Sequence, residues 1–247
     1  MRVRVLDCVS LVGLHTSMNQ KRTYRTFTHQ EAVLRICCSR FDAVTAEIVR
    51  QRQILEDYIV RHPEFGDSFE PLDLRADAPQ VARRMARAAK FVGVGPMAAV
   101  AGAMAQCAAE AGLAAGAREV IVENGGDIYI QAAEPVMIGL VTGTSELTGR
   151  LAFSLQPQDT PISICSSSGK MGHSKSLGNC DLATAVAKDA ALADAAATEA
   201  ANLVKTIEDV GPTVKRIAAI EGIDGVMIIK DDRVGLAGQL PPLVKIQ

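Results

Sequence analysis

Tryptophan is absent from this 247-residue chain, and aromatic residues make up only 4% of it. That scarcity argues against a stacking platform for single-stranded nucleic acid. A net charge of −2 and the lack of any basic tract argue against nucleic acid in general. Histidine is scarce as well, with four residues, and the six cysteines at 8, 37, 38, 107, 165 and 180 form no C-x-x-C pair. Neither a zinc site nor a dense disulfide framework is expected from that spacing. Reduced thiols in the cytoplasm are the expectation. Residues 1–14 loosely imitate a signal peptide, but Asp7 interrupts the apolar part and no convincing small-residue cleavage site follows. No run is expected to be long enough to span a membrane, so no membrane partner is expected either.

What the chain does have is apolar residues, at 48%, drawn mainly from Ala, Val, Ile and Leu. Such a composition can fill a large core, and its many alanines imply close approach of helices and strands. Residues 22–27 and 33–39 have strand character. Asp42 is expected to cap a long helix running to about Arg61, which His62-Pro63 ends. The acidic segment 64–77 reads as a surface connection. Asp77 and Pro79 open a second helix carrying Arg83, Arg84, Arg87 and Lys90, and a very small-residue helix follows Gly93-Val94-Gly95-Pro96. The period then changes to two over 119–123, 127–131, 136–141, 151–155 and 162–165, which predicts an antiparallel meander. A strand at 182–187, helices at 190–204 and near 213–221, and a hairpin of 226–229 with 234–236 close the chain. Runs of helices beside runs of strands indicate an α+β fold. We read residues 1–21 as an arm without assigned structure.

Four segments can carry chemistry. In Glu123-Asn124-Gly125-Gly126-Asp127 the plain reading is a hairpin turn, since Asn-Gly is a strong hairpin signal. The same turn crowds polar groups where glycine lets a ligand approach the backbone. The stretch 165–179 gathers Cys165, Ser167, Ser168, Gly169, Lys170, Gly172, His173, Ser174 and Lys175. It reads either as a solvated loop or as an anion-binding concavity with His173 as acid–base. Cys165 would become reactive if Lys170 or His173 lay close enough to lower its pKa. Gly93–Ala99 precedes a helix N-terminus, which suits an anion. Finally, Asp194 and Thr198 stand four residues apart in an alanine run, on one helix face. They are either ordinary residues of a buried helix or two hard oxygens for a cation such as Mg²⁺.

The ordered segments Gly95-Pro96-Met97-Ala98-Ala99-Val100-Ala101-Gly102-Ala103, Glu123-Asn124-Gly125-Gly126-Asp127-Ile128, Gly172-His173-Ser174-Lys175-Ser176-Leu177-Gly178 and Ala193-Asp194-Ala195-Ala196-Ala197-Thr198 resemble an uncharacterised family of the ApbE-like superfamily. Tyr24-Arg25 and His62-Pro63-Glu64-Phe65 fit it too, so the resemblance runs from about residue 22 to the C-terminus. It implies one ApbE-like α+β domain over 22–247, with a largely antiparallel sheet and packed Ala-rich helices. The superfamily's flavin transferases bind FAD and Mg²⁺ and attach FMN to a threonine of a target protein. Carried over residue by residue, the resemblance implies Mg²⁺ at Asp194, Thr198 and the Ala98 carbonyl. The transferases' lysine falls at Ala101, their acid at the head of the same motif at Gly95, and their His-x-x-Asp-Pro segment keeps only His173. The metal site therefore carries over more completely than flavin transfer does.

The function expected from these readings is a cytoplasmic enzyme or binder of a small phosphorylated cofactor, FAD or a similar nucleotide. A chemistry on that cofactor would be that of a transferase or hydrolase. Asn124, Gly125, Gly126, Asp127, Ser167, Ser168, Gly169, Gly172 and Ser174 are the expected cofactor-binding residues, with His173 and Cys165 as catalytic candidates. The alternatives are a thiol-handling protein acting through Cys165 and a non-catalytic, partner-binding relative. Self-association into a homo-oligomer is compatible with each.

Overall fold

The computed structural model describes residues 4–6, 22–140, 151–169 and 178–245. Strands β2 (Arg25–His29), β3 (Ala32–Cys38), β4 (Val120–Asn124), β5 (Asp127–Gln131), β8 (Ile162–Ser167), β9 (Leu182–Ala187), β10 (Ile223–Lys230) and β11 (Arg233–Gly238) form a large antiparallel sheet. Its order is β11-β10-β9-β8-β5-β4-β3-β2. A second antiparallel sheet, in the order β1-β6-β7-β12, joins Arg4–Leu6, Val136–Leu140, Leu151–Leu155 and Leu243–Lys245. Helices α1 (Phe41–Arg61), α3 (Gln80–Val92), α4 (Val100–Ala114), α5 (Ala190–Leu203) and α6 (Val210–Ala218), with a short α2 (Pro63–Asp67), complete the α+β architecture.

The large sheet is buried on both faces, and the sequence sorts those faces by side-chain size. In β9, Leu182 and Val186 join a cluster with Ile138, Phe153 and Leu155 of the small sheet. The alternate residues Ala183, Ala185 and Ala187 face the helices. Period two puts bulk on one side and methyl groups on the other. The methyl side lets α5 lie close to the sheet. Ten of the fourteen residues of α5 are buried, so it is a core helix apolar on nearly every side.

The expected meander is divided between two sheets. β4 and β5 form a hairpin, but β5 next pairs with β8 (Ile128 opposite Ile164) while β6 and β7 pair with each other. Folding the β6–β7 hairpin over the large sheet buries Ile128, Ile130, Ile162 and Ile164 against Ile138, Leu140, Phe153 and Leu155. One continuous sheet would leave those faces wet. Arg4–Leu6, within the arm whose structure the sequence leaves unassigned, pairs with β6.

Three local expectations also change. Arg40, not Asp42, is the N-cap of α1, and Asp42 lies in the first turn, where its charge favours the positive end of the helix dipole. The connection at 64–77 begins with α2, anchored by Phe65, which is buried edge-on against Tyr58 at 5.2 Å. Among the described residues, one helical run is long and apolar enough to cross a membrane by length and composition: Pro96–Ala114, with mean hydropathy 1.3 over its most apolar window. Half of that window is buried inside the protein, against α1, α3, α5 and β4.

Candidate functional site

The site forms where α4 and α5 touch backbone to backbone. Asp189 caps α5, accepting the Leu192 N–H at 3.2 Å, and is itself held by Arg87 at 2.6 Å. The next N–H, that of Ala190, donates to Gln106 of α4 at 2.9 Å. A Cβ on Gly102 would lie 2.2 Å from the Ala190 carbonyl oxygen and 2.9 Å from Asp194 Cβ, so only glycine permits this approach. One turn further along α5, Asp194 Oδ2 accepts the Gly102 N–H at 2.8 Å, and the carboxylate also takes the Ala101 N–H. Asp194 thereby satisfies the first turn of α4, which has no side-chain cap of its own.

The β4–β5 hairpin closes the site from the sheet side. Gly125 and Gly126 have φ of 70° and 116°, the positive values that a two-residue turn between Asn124 and Asp127 demands. Asn124 donates from Nδ2 to the Ala101 carbonyl at 3.2 Å, tying the turn to α4. Asp127, only 7% exposed, accepts from the Ser166 N–H and lies within hydrogen-bonding reach of the Cys165 thiol. Its Oδ1 is buried with no hydrogen-bond partner among the described residues.

Two carboxyls are therefore buried near each other with no cation beside them among the described residues. Burial, and then repulsion from Glu123, push the Asp127 pKa up to about 7, against the hydrogen bonds from Cys165 and Ser166. Burial, and then the charge of Asp127, hold the Asp194 carboxyl well above the usual range despite its two backbone hydrogen bonds. Neither carboxyl has an ion pair among the described residues. Glu123, by contrast, meets Arg35 at 3.2 Å.

The remaining expected residues are placed unequally. Thr198 lies one turn beyond Asp194 and is half-buried, and Ala98 is half-buried in the 3-10 turn Pro96–Ala99 leading into α4. Ser167 is half-buried at the end of β8. Ser168 and Gly169 turn to another partner, the Cys180 carbonyl, at 3.3 and 2.9 Å. Gly169 and Gly178 also approach so closely that a Cβ on Gly169 would lie 2.3 Å from the Gly178 carbonyl oxygen. Gly172, His173, Ser174, Lys170 and Lys175 lie outside the described residues. Cys165 is fully buried, and its thiol donates to the Ala190 carbonyl at 3.6 Å. Burial and the neighbouring Asp127 and Asp194 push its pKa well up, opposite to the direction an activated thiol requires.

The sequence reading missed the backbone of Ala101 and Gly102 as the groups that orient Asp194. It also missed that Asp127 and Cys165 share Asp194's surroundings. The available signal was a glycine flanked by alanines in a helix interior, where glycine is unfavourable unless something packs against it.

No group of three or more His, Cys, Asp or Glu side chains suited to a metal occurs among the described residues. A cation here would be held by few protein oxygens, the arrangement Mg²⁺ adopts when a ligand's phosphates complete its shell. The orphaned Asp127 oxygen and the uncompensated Asp194 charge are consistent with such an ion.

Comparison with known proteins agrees with the architecture. A family model described as AbpE bacteria matches residues 16–224. A UPF0280 protein of Archaeoglobus fulgidus is 38% identical over 224 residues, covering 88% of this chain and 92% of the relative. One from Methanocella arvoryzae is 41% identical over 198 residues, covering 80% of each. Among solved structures, the H257G mutant of the flavin transferase ApbE from Vibrio cholerae superimposes with a TM-score of 0.55 at 13% identity, over 87% of this chain and 96% of that one. The apo flavinyl transferase ApbE of Pseudomonas stutzeri gives 0.52 at 10% identity, over 91% and 96%. At such identities the likeness establishes the shared fold. The sequence relatives establish more: this chain belongs to the UPF0280 family, on an ApbE-like fold.

Proposed function

We propose that this chain binds a small phosphorylated cofactor, FAD or a similar nucleotide, beside a Mg²⁺ ion held by Asp194, Thr198 and the Ala98 carbonyl. The observation that carries the reading is the Asp194 carboxyl, buried at the first turn of α4 with backbone N–H partners and no cationic one among the described residues. The ApbE-like fold supports the choice of a flavin nucleotide. When bound, the ion would neutralise and polarise a phosphate oxygen. The chain's own part is positioning. Gly102 and Ala101 fix the Asp194 carboxylate, Asn124 ties the hairpin turn to α4, and Gly125-Gly126 leaves room for a ligand against the backbone. Ala101 and Gly95 stand where the transferases carry a lysine and an acid, so the residues support cofactor binding further than flavin transfer. Titration of the purified protein with FAD, with and without Mg²⁺, tests this reading. Mg²⁺-dependent binding that is lost in Asp194→Ala is expected. No binding at millimolar FAD, or binding indifferent to the substitution, overturns it.

A further inference from the structure

We propose that Asp127 is a direct ligand of the cation, so that the ion sits between the Asp127 and Asp194 carboxylates where the β4–β5 turn meets the first turn of α4. This rests on the reading of Asp194 as a cation ligand and adds a residue which the family resemblance does not place there.

Three observations support the placement. Asp127 is more than nine-tenths buried, and its Oδ1 meets no hydrogen-bond donor among the described residues. Its other partners are a backbone N–H and a thiol, neither of which carries positive charge. The Asp194 carboxylate is close enough to repel it and, among the described residues, is likewise met only by backbone N–H groups. Three other buried or half-buried acids meet cations: Glu123 meets Arg35, Glu119 meets Arg22 at 2.8 Å and Asp189 meets Arg87. Two carboxyls withdrawn from water together can both be anions only with a counter-charge between them. The two carboxyls offer hard oxygens, a donor type that suits Mg²⁺ or Mn²⁺ over thiophilic metals.

A site with two carboxylates differs in one measurable way from one that has Asp194 alone. It is charge-balanced for a divalent ion before any phosphate arrives, so it binds the ion in the absence of nucleotide. Mn²⁺ titration of the full chain, followed by EPR of the free ion, tests this on wild type, Asp127→Asn and Asp194→Asn with no nucleotide present. The expected result is saturable binding of about one Mn²⁺ per chain, weakened roughly tenfold or more by either substitution. Wild-type protein that takes up no Mn²⁺ at millimolar concentration, or an Asp127→Asn variant that binds as wild type does, overturns the proposal. If Asp127→Asn fails to fold, Asp127→Ser removes the charge with less bulk and is judged by the same two outcomes. The two readings fail separately. Mg²⁺-dependent FAD binding that is lost in Asp194→Ala and unchanged in Asp127→Asn upholds the cofactor reading and overturns this one. Mn²⁺ binding lost in both variants without any FAD binding does the reverse.

Discussion

Helix α4 has acids packed around it on two sides, and the two sides are wired differently. On the outer side, in the groove between α1, α3 and α4, Glu110 is gripped by Arg84 at 3.1 Å and by Gln106 at 3.0 Å. Glu47 is likewise held by Arg50 at 2.6 Å and Gln51 at 2.7 Å. Cys107, in the same groove, is pushed up to about 11 by burial, only partly offset by Arg84. On the inner side, Asp194 and Asp127 have backbone N–H groups and a neutral thiol, and no cation among the described residues. The outer acids are matched by charge within the fold and need nothing further. The inner ones are under-compensated, which makes them the better functional candidates.

Measurements on each side of α4 test the contrast. The largest effect of a single substitution is expected from Gly102→Ala. Its methyl group would run into the Ala190 backbone, and backbone cannot swing aside as a side chain can. A loss of about 1–3 kcal/mol in urea unfolding is expected, together with weaker Mn²⁺ binding, because Asp194 hangs on the same turn. An unchanged unfolding midpoint would show that the two helices are not locked at this point.

A second test uses pH. The folded-state pKa of Asp127 is raised to about 7, above its ordinary value of 3.8. The folded protein therefore keeps a proton that the unfolded chain gives up. The resulting stability is fully present below about 4 and is lost as pH rises through about 7. Metal-free protein should lose stability across that window, by an amount on the order of a few kcal/mol. Asp127→Asn should flatten the slope, and excess Mg²⁺ should reduce the loss. A metal-free profile that is flat from pH 4 to 7 would count against an unpaired Asp127.

On the outer side the expected change is small. Glu110→Gln should cost less than about 1 kcal/mol, since the Glu110 side chain is 42% exposed and the pair is screened by solvent and salt. Its Mn²⁺ binding should equal that of wild type. A change in Mn²⁺ affinity would mean that the two sides of α4 communicate. Least of all should happen at Cys165. Its alkylation in the native protein near neutral pH should be slower than that of a free thiol, with mass mapping showing modification only after unfolding. Rapid native-state labelling would restore the thiol-handling alternative.

Elements whose signal is local were legible from the sequence. The alanine run at 190–204, the Asn124–Asp127 turn and the closing hairpin all fall within a few residues of their expected places. Failures came where a distant partner decides the outcome. The pairing of β5 with β8 and not β6 depends on which isoleucine faces can be covered, which no single strand encodes. Phe65 looked like part of an exposed connection until Tyr58 was seen to cover it. Cys165 sits beside a polar stretch in sequence, yet its side chain points under α5, where burial raises its pKa.

The opposed carboxyls show the same division most sharply. Residue spacing along a regular element is enough to put Asp194 and Thr198 on one helix face and Asp127 after a tight glycine turn. It could not determine what Asp194 faces: its hydrogen-bond partner, Gly102, is 92 residues away. Only the tertiary structure decided that α4, α5 and the hairpin meet at methyl-group distance and exclude water. That exclusion turns two ordinary aspartates into an uncompensated pair, since the cost of a charge depends on what surrounds it and not on where it stands in the chain.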